Sequence, residues 1–324
     1  MSPWVIASAT MLAYASAGFG QTAGFEHQRR ILLELRQRGH LQAALEGARR
    51  LVTEAERNEP RAAPLALALH DYAVISGDLG LYAESEKALR RAIRLVEVAE
   101  PTDGSVIQVL RLRLAELLLD AGRNKEARSL FLELAGKWEK TQPQSAELAI
   151  ALDHLGWLEV LSRHFDAAES LLQRSIRIME ARTDVGPSQM GDVLNDYASL
   201  LFTLKRYTEA ASYAERVMSL LSRNGDVPDA TLINAWTMLA AAYANTGRTQ
   251  EAQEYVRQAI AAAKSNYGED SRRAGRLMTV GAVLLERCGQ KSEAKALRKN
   301  ADQILAKAER DDPRRFTVDV NALR

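Results

Sequence analysis

The side chains with which this chain could do acid–base or metal chemistry are few and scattered. Its five histidines are His27, His40, His70, His154 and His164. No two of them flank a glutamate at i and i+4, the spacing that sets two imidazoles on one helix face for zinc. Asp153 and His154 are adjacent, but neighbours on a helix point about 100° apart and no nucleophile accompanies them. The one cysteine, Cys288, allows neither an intrachain disulfide nor a thiolate cluster. Within VLLERCGQ it reads as a buried, inert thiol. No glycine-rich phosphate loop follows a strand. The expectation is therefore a protein that is not an enzyme, with no catalytic residues, no metal and no cofactor. What the chain offers instead is hydrogen bonding. Asp153 and Trp157, and likewise Asn195 and Ser199, are four residues apart, so on a helix each pair shares a face. A carboxamide presents donor and acceptor to a peptide backbone whatever its side chains, and Asp153, Asp192 and Asp196 would favour a basic segment. Arg272, Arg273, Arg276 and Arg287 could clamp a carboxylate terminus, or simply form a solvated helix face.

These residues sit in a chain that repeats. A turn residue, usually Gly, is followed five positions later by a small residue, with Glu commonly just before it. The signature reads GHLQAA, GLYAES, GRNKEA, RHFDAA, KRYTEA, GRTQEA and GQKSEA, placing the small residue at 44, 85, 127, 168, 210, 252 and 294. The spacing is 41 or 42 throughout, and a period so regular means a solenoid whose units stack because none buries its own apolar face. Apolar residues between signatures keep helical spacing: Leu148, Ile150, Leu152, Leu155, Leu158 and Leu161, then Phe165, Ala168, Leu171, Leu172, Ile176 and Ile178. Two helices per period follow, and no segment alternates at period two before the tail. PTDGS, TQPQS, TDVGPS, RNGDVPD and NYGEDS supply turn and cap chemistry between periods. Gly39, Gly80, Gly122, Gly247 and Gly289 suit a left-handed residue that closes the first helix, with Arg163 and Lys205 in that place in two central repeats. The glutamates at 84, 126, 209, 251 and 293 fall in the first turn of the second helix, at the positive end of its dipole. The small residue after each admits close helix approach.

Composition excludes little else. Forty-three basic against 42 acidic residues leave a net charge of +1, against a nucleic-acid surface. Residues 1–20 read as a signal peptide, with an apolar run from Trp4 to Tyr14 and Ala15-Ser16-Ala17 as a small-x-small cleavage site, though no Lys or Arg precedes the run. Export to a periplasmic or secreted location is expected, with a cytoplasmic protein as the alternative. The membrane enters only if that segment stays uncleaved, and its Ala, Ser, Thr and Gly content dilutes it below a spanning helix.

With a large-small pair twelve or thirteen positions before each small residue, at Tyr72-Ala73, Leu114-Ala115, Leu155-Gly156, Tyr197-Ala198 and Leu239-Ala240, the pattern resembles tetratricopeptide repeats. The long unit resembles the version in kinesin light chains, whose Leu-Asn-Asn-Leu-Ala pattern LNDYA (194–198) matches, as NYGEDS resembles its inter-repeat loop. Departures are Gly281 where a large residue is expected, Ser85 for Ala, and no proline at repeat ends. The resemblance implies an all-α fold, a right-handed superhelical α-solenoid of about seven helix pairs. It would span 24–310, with an N-terminal pair at 24–57, six repeats at 65–310 and a tail at 311–324. It also implies a concave groove lined by first helices. Counting back from the small residue, the groove residues are Asp153, His154 and Trp157, then Asp192, Asn195, Asp196 and Ser199, then Asn234, Thr237 and Asn245. A protein or peptide ligand of unstated identity is the implied partner. The competing reading is that these are the polar residues of any amphipathic helix, that Trp157 packs, and that Trp236, Tyr197, Tyr207 and Tyr243 belong to the core.

Overall fold

The computed structural model describes residues 23–37, 40–58, 62–99, 104–221 and 230–310. These form fourteen helices and no strand: α1 Ala23–Gln37, α2 Leu41–Asn58, α3 Ala62–Asp78, α4 Tyr82–Ala99, α5 Ser105–Asp120, α6 Asn124–Thr141, α7 Ala146–Leu161, α8 Phe165–Glu180, α9 Pro187–Thr203, α10 Tyr207–Leu221, α11 Ala230–Thr246, α12 Thr249–Tyr267, α13 Arg272–Arg287 and α14 Lys291–Arg310. The fold is an all-α solenoid of helical repeats, as expected. Two compact units divide it at Leu200, within α9. In each, helices pack on their chain neighbours, and alternate first helices also meet, α5 on α7 and α11 on α13. The first helix of the 65–310 array starts at Ala62, three residues before the expected boundary at 65. Pro64 lies in the first turn, where its missing N–H has no carbonyl to reach. The signal segment 1–20 and the tail 311–324 lie outside the described residues, and no described helix is long and apolar enough to cross a membrane.

The hairpin turns are built as the signature requires. Gly80, Gly122, Gly247 and Gly289 have positive φ, and so do Arg163 at 63° and Lys205 at 62°. The residue after each sends its N–H back to close the first helix: Leu81 to Ser76, Arg123 to Leu118, His164 to Glu159, Arg206 to Leu201, Arg248 to Tyr243 and Gln290 to Leu285. That is the Schellman closure. A side chain in the left-handed region costs about 1–2 kcal/mol, partly offset because Gly adds entropy to the unfolded chain. Arg163→Gly is accordingly expected to stabilise the protein by about 0.5–1 kcal/mol, seen as a higher chemical-denaturation midpoint with unchanged slope.

Second helices start against arginine forks. Arg123, Arg206 and Arg248 each reach the glutamate three residues on, as in Arg206 Nε to Glu209 Oε1 and Nη2 to Oε2 at 2.7 and 2.6 Å. Between the helices the small residues are fully enclosed: Ala127, Ala168, Ala210 and Ala252 expose nothing. Ser85 takes that place by donating its hydroxyl to the Ala73 carbonyl at 2.6 Å. Gly281 leaves room for Ile260, whose Cδ1 would lie 2.7 Å from a Cβ there. Gly156 is crowded in the same way, 2.7 Å from Leu172 Cγ, with the Ala168 carbonyl behind it. Ala168→Leu is expected to cost about 1–3 kcal/mol through overpacking, read as a lower melting temperature.

Candidate functional site

In the N-terminal unit the buried ionisable side chains, Arg29, His70, Asp71, Arg113, Asp153 and Glu159, lie on first helices. Asp71 on α3, Arg113 on α5, His154 on α7 and Asp196 on α9 hold one repeat position, and Arg29 on α1 stands one residue from it. Arg29 and Asp71 are both buried and paired, Nε to Oδ2 at 2.6 Å and Nη2 to Oδ1 at 3.3 Å. Burial alone would raise the Asp71 carboxyl, yet the Arg29 guanidinium and the His70 ring hold it below the usual carboxylate range. Burial lowers His70, whose Nδ1 lies 3.2 Å from Asp71 Oδ1. A neutral ring donates from Nδ1 to the carboxylate.

The next stretch joins α5, α7 and α9. Arg113 Nη1 donates to Glu116 Oε2 at 2.5 Å, and Glu116 Oε1 lies 3.4 Å from His154 Nε2. The ring of His154 packs on Phe131 from α6, centroids 5.0 Å apart. Burial opposes charge on both groups, but the Arg113 cation and His154 bring Glu116 down to about 2. Glu116, Asp153 and Asp196 bring His154 up to about 9. The pair is therefore an imidazolium on a carboxylate at neutral pH.

Asp153 is 5 % exposed, and no donor from a described residue reaches its Oδ1. The Asp196 carboxyl is close enough to share a hydrogen bond with it. Burial, Asp196 and Asp192 all push Asp153 far above the usual carboxylate range, with His154 opposing. Asp196 is raised as well, chiefly by burial. Two carboxyls so placed cannot both ionise cheaply, so charge on one opposes charge on the other. A raised folded-state pKa withdraws stability as pH climbs above the unfolded value of about 3.9. Asp153→Asn, the neutral isostere, is expected to raise the melting temperature, and more at pH 8 than at pH 5. A drop at pH 8 would contradict the upward shift of the Asp153 carboxyl.

The remaining expected residues fall as follows. Asn195 is buried, and Asp192, Asp196, His154, Trp157 and Ser199 are half-buried. Ser199 donates to the Asn195 carbonyl of its own helix. A solvated helix face does not describe α7 and α9, because water-facing residues would not include Asp153 and Asn195. In the C-terminal unit, Asn234 is exposed. Thr237 and Asn245 instead donate to carbonyls one turn back, Ile233 and Ala241, and Asn245 Oδ1 accepts from Arg287 at 2.7 Å. The arginine cluster does not converge on one anion. Arg272 reaches the Ala308 carbonyl, Arg273 lies over Tyr267, and Arg287 is taken by Asn245. Cys288 is half-buried against the Tyr243 cluster, and burial raises its thiol. Tyr197 and Tyr243 are buried, but their hydroxyls reach Glu169 and Glu215. His164 Nδ1 donates to the Glu159 carboxylate, 2.8 Å away, beside its turn. Arg29, His70, Asp71, Arg113 and Glu116 were not among the expected residues. The same backward count, carried into the first three signatures, would have reached them.

A family model for the tetratricopeptide repeat matches residues 106–181 and 189–265. Among solved structures, NprR in complex with its cognate peptide NprX is similar over 95% of this chain and 87% of that one, at 11% identity and a TM-score of 0.63. BtubC (BKLC) from P. vanneervenii is 20% identical over 71% of this chain and 91% of its own, with a TM-score of 0.51. A provisionally assigned kinesin light chain of Podosopora anserina, with nearly identical TPR-like repeats, is 19% identical over 62% and 95%, at 0.50. At these identities the likeness is one of fold. No curated protein matches by sequence.

Proposed function

We propose that this tetratricopeptide-repeat chain is an exported scaffold or adaptor that holds an extended protein segment against the first helices of its repeats. The observation that carries the reading is the cluster on α7 and α9. A carboxyl there, buried with no donor at Oδ1, lies beside half-buried Asp192, Asp196, His154 and Trp157. A fold maintained for stability alone gains little from buried charge, since apolar groups of similar volume serve as well. Buried polar groups next to a partly open face suit recognition. Export rests on the sequence of residues 1–20.

The test is crosslinking and mass spectrometry on the native protein, comparing wild type with a Trp157→Ala, Asp192→Ala, Asn234→Ala variant that melts normally. A partner present in the first and missing in the second is the expected result. Identical crosslinks in both would end the groove reading. N-terminal sequencing of the same preparation should begin after Ala17. A second reading, a cytoplasmic sensor of a short peptide, draws on the likeness to NprR, solved with its cognate peptide. Residues 1–20 intact on a soluble cytoplasmic protein would favour it.

A further inference from the structure

We propose that residues 316–320 of this chain run as an extended segment along the open apolar face of α13, so that the chain itself fills the groove positions of its last hairpin. The inference stands whether or not the groove holds a partner. Two repeats on from Asp196 and Ser199, the residues at the same places are Val280 and Val283. They are 44% and 48% exposed, and they are the exposed large apolar side chains among the described residues of the C-terminal unit. Arg276, Val280, Val283 and Arg287, at steps of four, three and four, share one side of α13. The reason that side is open shows one repeat back. Ala241 and Ala244 of α11 pack on a cluster that includes Leu284 and Leu285 of the next first helix. Val283 and Glu286 hold their places in α13, and no described helix follows α14.

The shape of the face narrows what can cover it. A further hairpin would also need an apolar seat on the second helix, such as α13 finds on α12, where Val256 and Ile260 crowd Gly281. In α14 those two places are Arg298 and Asp302, both exposed. The apolar strip is thus narrow, two valines a turn apart. It fits the single apolar side of an extended segment, and it falls far short of the roughly 800 Å² that each partner brings to a standard interface. Such a segment lies within reach. α14 ends beside the start of α13: Lys307 Nζ donates to Asp270 Oδ2 at 2.7 Å, and Arg272 Nη2 to the Ala308 carbonyl at 3.4 Å. Val280 and Val283 stand about 12 to 17 Å along α13 from Arg272. Six to ten residues beyond Arg310, an extended chain covers up to about 20–33 Å. Phe316, Val318 and Val320 fall there, alternating with Thr317 and Asp319. Extended, that alternation would set the three apolar side chains on one side, against the valines.

A cysteine scan of the full chain in a Cys288→Ser background tests this. Val283→Cys is combined in turn with Phe316→Cys, Thr317→Cys, Val318→Cys, Asp319→Cys and Val320→Cys. Each variant is oxidised mildly at low protein concentration, and its disulfides are located by peptide mapping. A disulfide forms only where the two Cβ atoms come within about 4.5 Å. The fastest bonding within one chain should therefore fall at 316, 318 or 320, about threefold or more above 317 and 319. Val280→Asp changes an exposed side chain, so it should remain folded, which its melting curve verifies, and it should abolish that preference. Hydrogen exchange needs no cysteine: amides within 315–321 should exchange about tenfold or more slowly in the wild-type chain than in Val280→Asp. Equal bonding at all five positions, bonding at none, or exchange indifferent to Val280→Asp overturns the docking. Disulfides that join two chains assign the valine face to a second copy and overturn it as well.

Discussion

Asp71→Ala is expected to destabilise the N-terminal unit by about 3–5 kcal/mol, because it strands the buried Arg29 guanidinium with no acceptor of comparable strength. Glu26 does reach Arg29 at 3.4 Å, but at that distance, and partly in water, it is a weak substitute. The loss is larger than the net worth of the pair, which must offset the desolvation of two ions. The comparison that separates these quantities is the double variant Arg29→Met, Asp71→Leu. Two apolar side chains of similar volume should recover most of the lost stability. Urea unfolding followed by helical circular dichroism supplies both numbers, and equal loss in the single and double variants would mean that the site matters for shape and not for charge. Since Asp71 is held below its ordinary value, its contribution is present above about pH 4 and disappears as the pH falls through the folded value.

His154→Gln should remove a loss of stability that the wild type suffers on the alkaline side. The imidazolium is held to about 9 against about 6.5 when unfolded. The stabilisation is complete below about pH 6.5, and it vanishes as the pH passes through 9. A shift of that size corresponds to on the order of 3 kcal/mol. Asp153 also withdraws stability with rising pH, so the measurement is repeated in the Asp153→Asn background, where that carboxyl no longer titrates and His154 keeps Glu116 and Asp196 as the charges that raise it. There the parent should lose stability between pH 6.5 and 9.5, and the added His154→Gln should flatten the curve. A parent that is already flat would mean that His154 is neutral when folded. Glu116, at about 2, gives the opposite limb, with stability lost only in strong acid.

The repeat was legible because its causes are local. Positive φ at the turn, the small residue between helices and apolar spacing each act within one hairpin. At the six turns among the described residues the left-handed residue stands where the signature placed it, down to Arg163 and Lys205, while Gly39 lies outside the described residues. The site was only half legible. Asp153, Asp192 and Asp196 were reached by counting, but the burial of Asp153 and the upward shifts of Asp153 and Asp196 depend on how α7 meets α9, which no single-helix pattern contains. Arg29 and Arg113 look in sequence like ordinary helix-surface arginines. What distinguishes them is a partner a full repeat away or a neighbouring buried carboxylate. Thr237 and Asn245 matched by position, yet bond to their own helix, because a polar side chain always has a carbonyl one turn back within reach.

The alternation of Arg29, Asp71 and Arg113 along successive first helices gives the order of the repeats a parity. Modules this alike risk docking out of sequence, a common failure of repetitive chains. Apolar faces scarcely object, since one hairpin resembles the next. A skipped module, however, would bring Arg29 to the seam where Arg113 belongs beside it, cation against cation in a dry interface. The buried charges thus distinguish one first helix from the next where the apolar contacts do not.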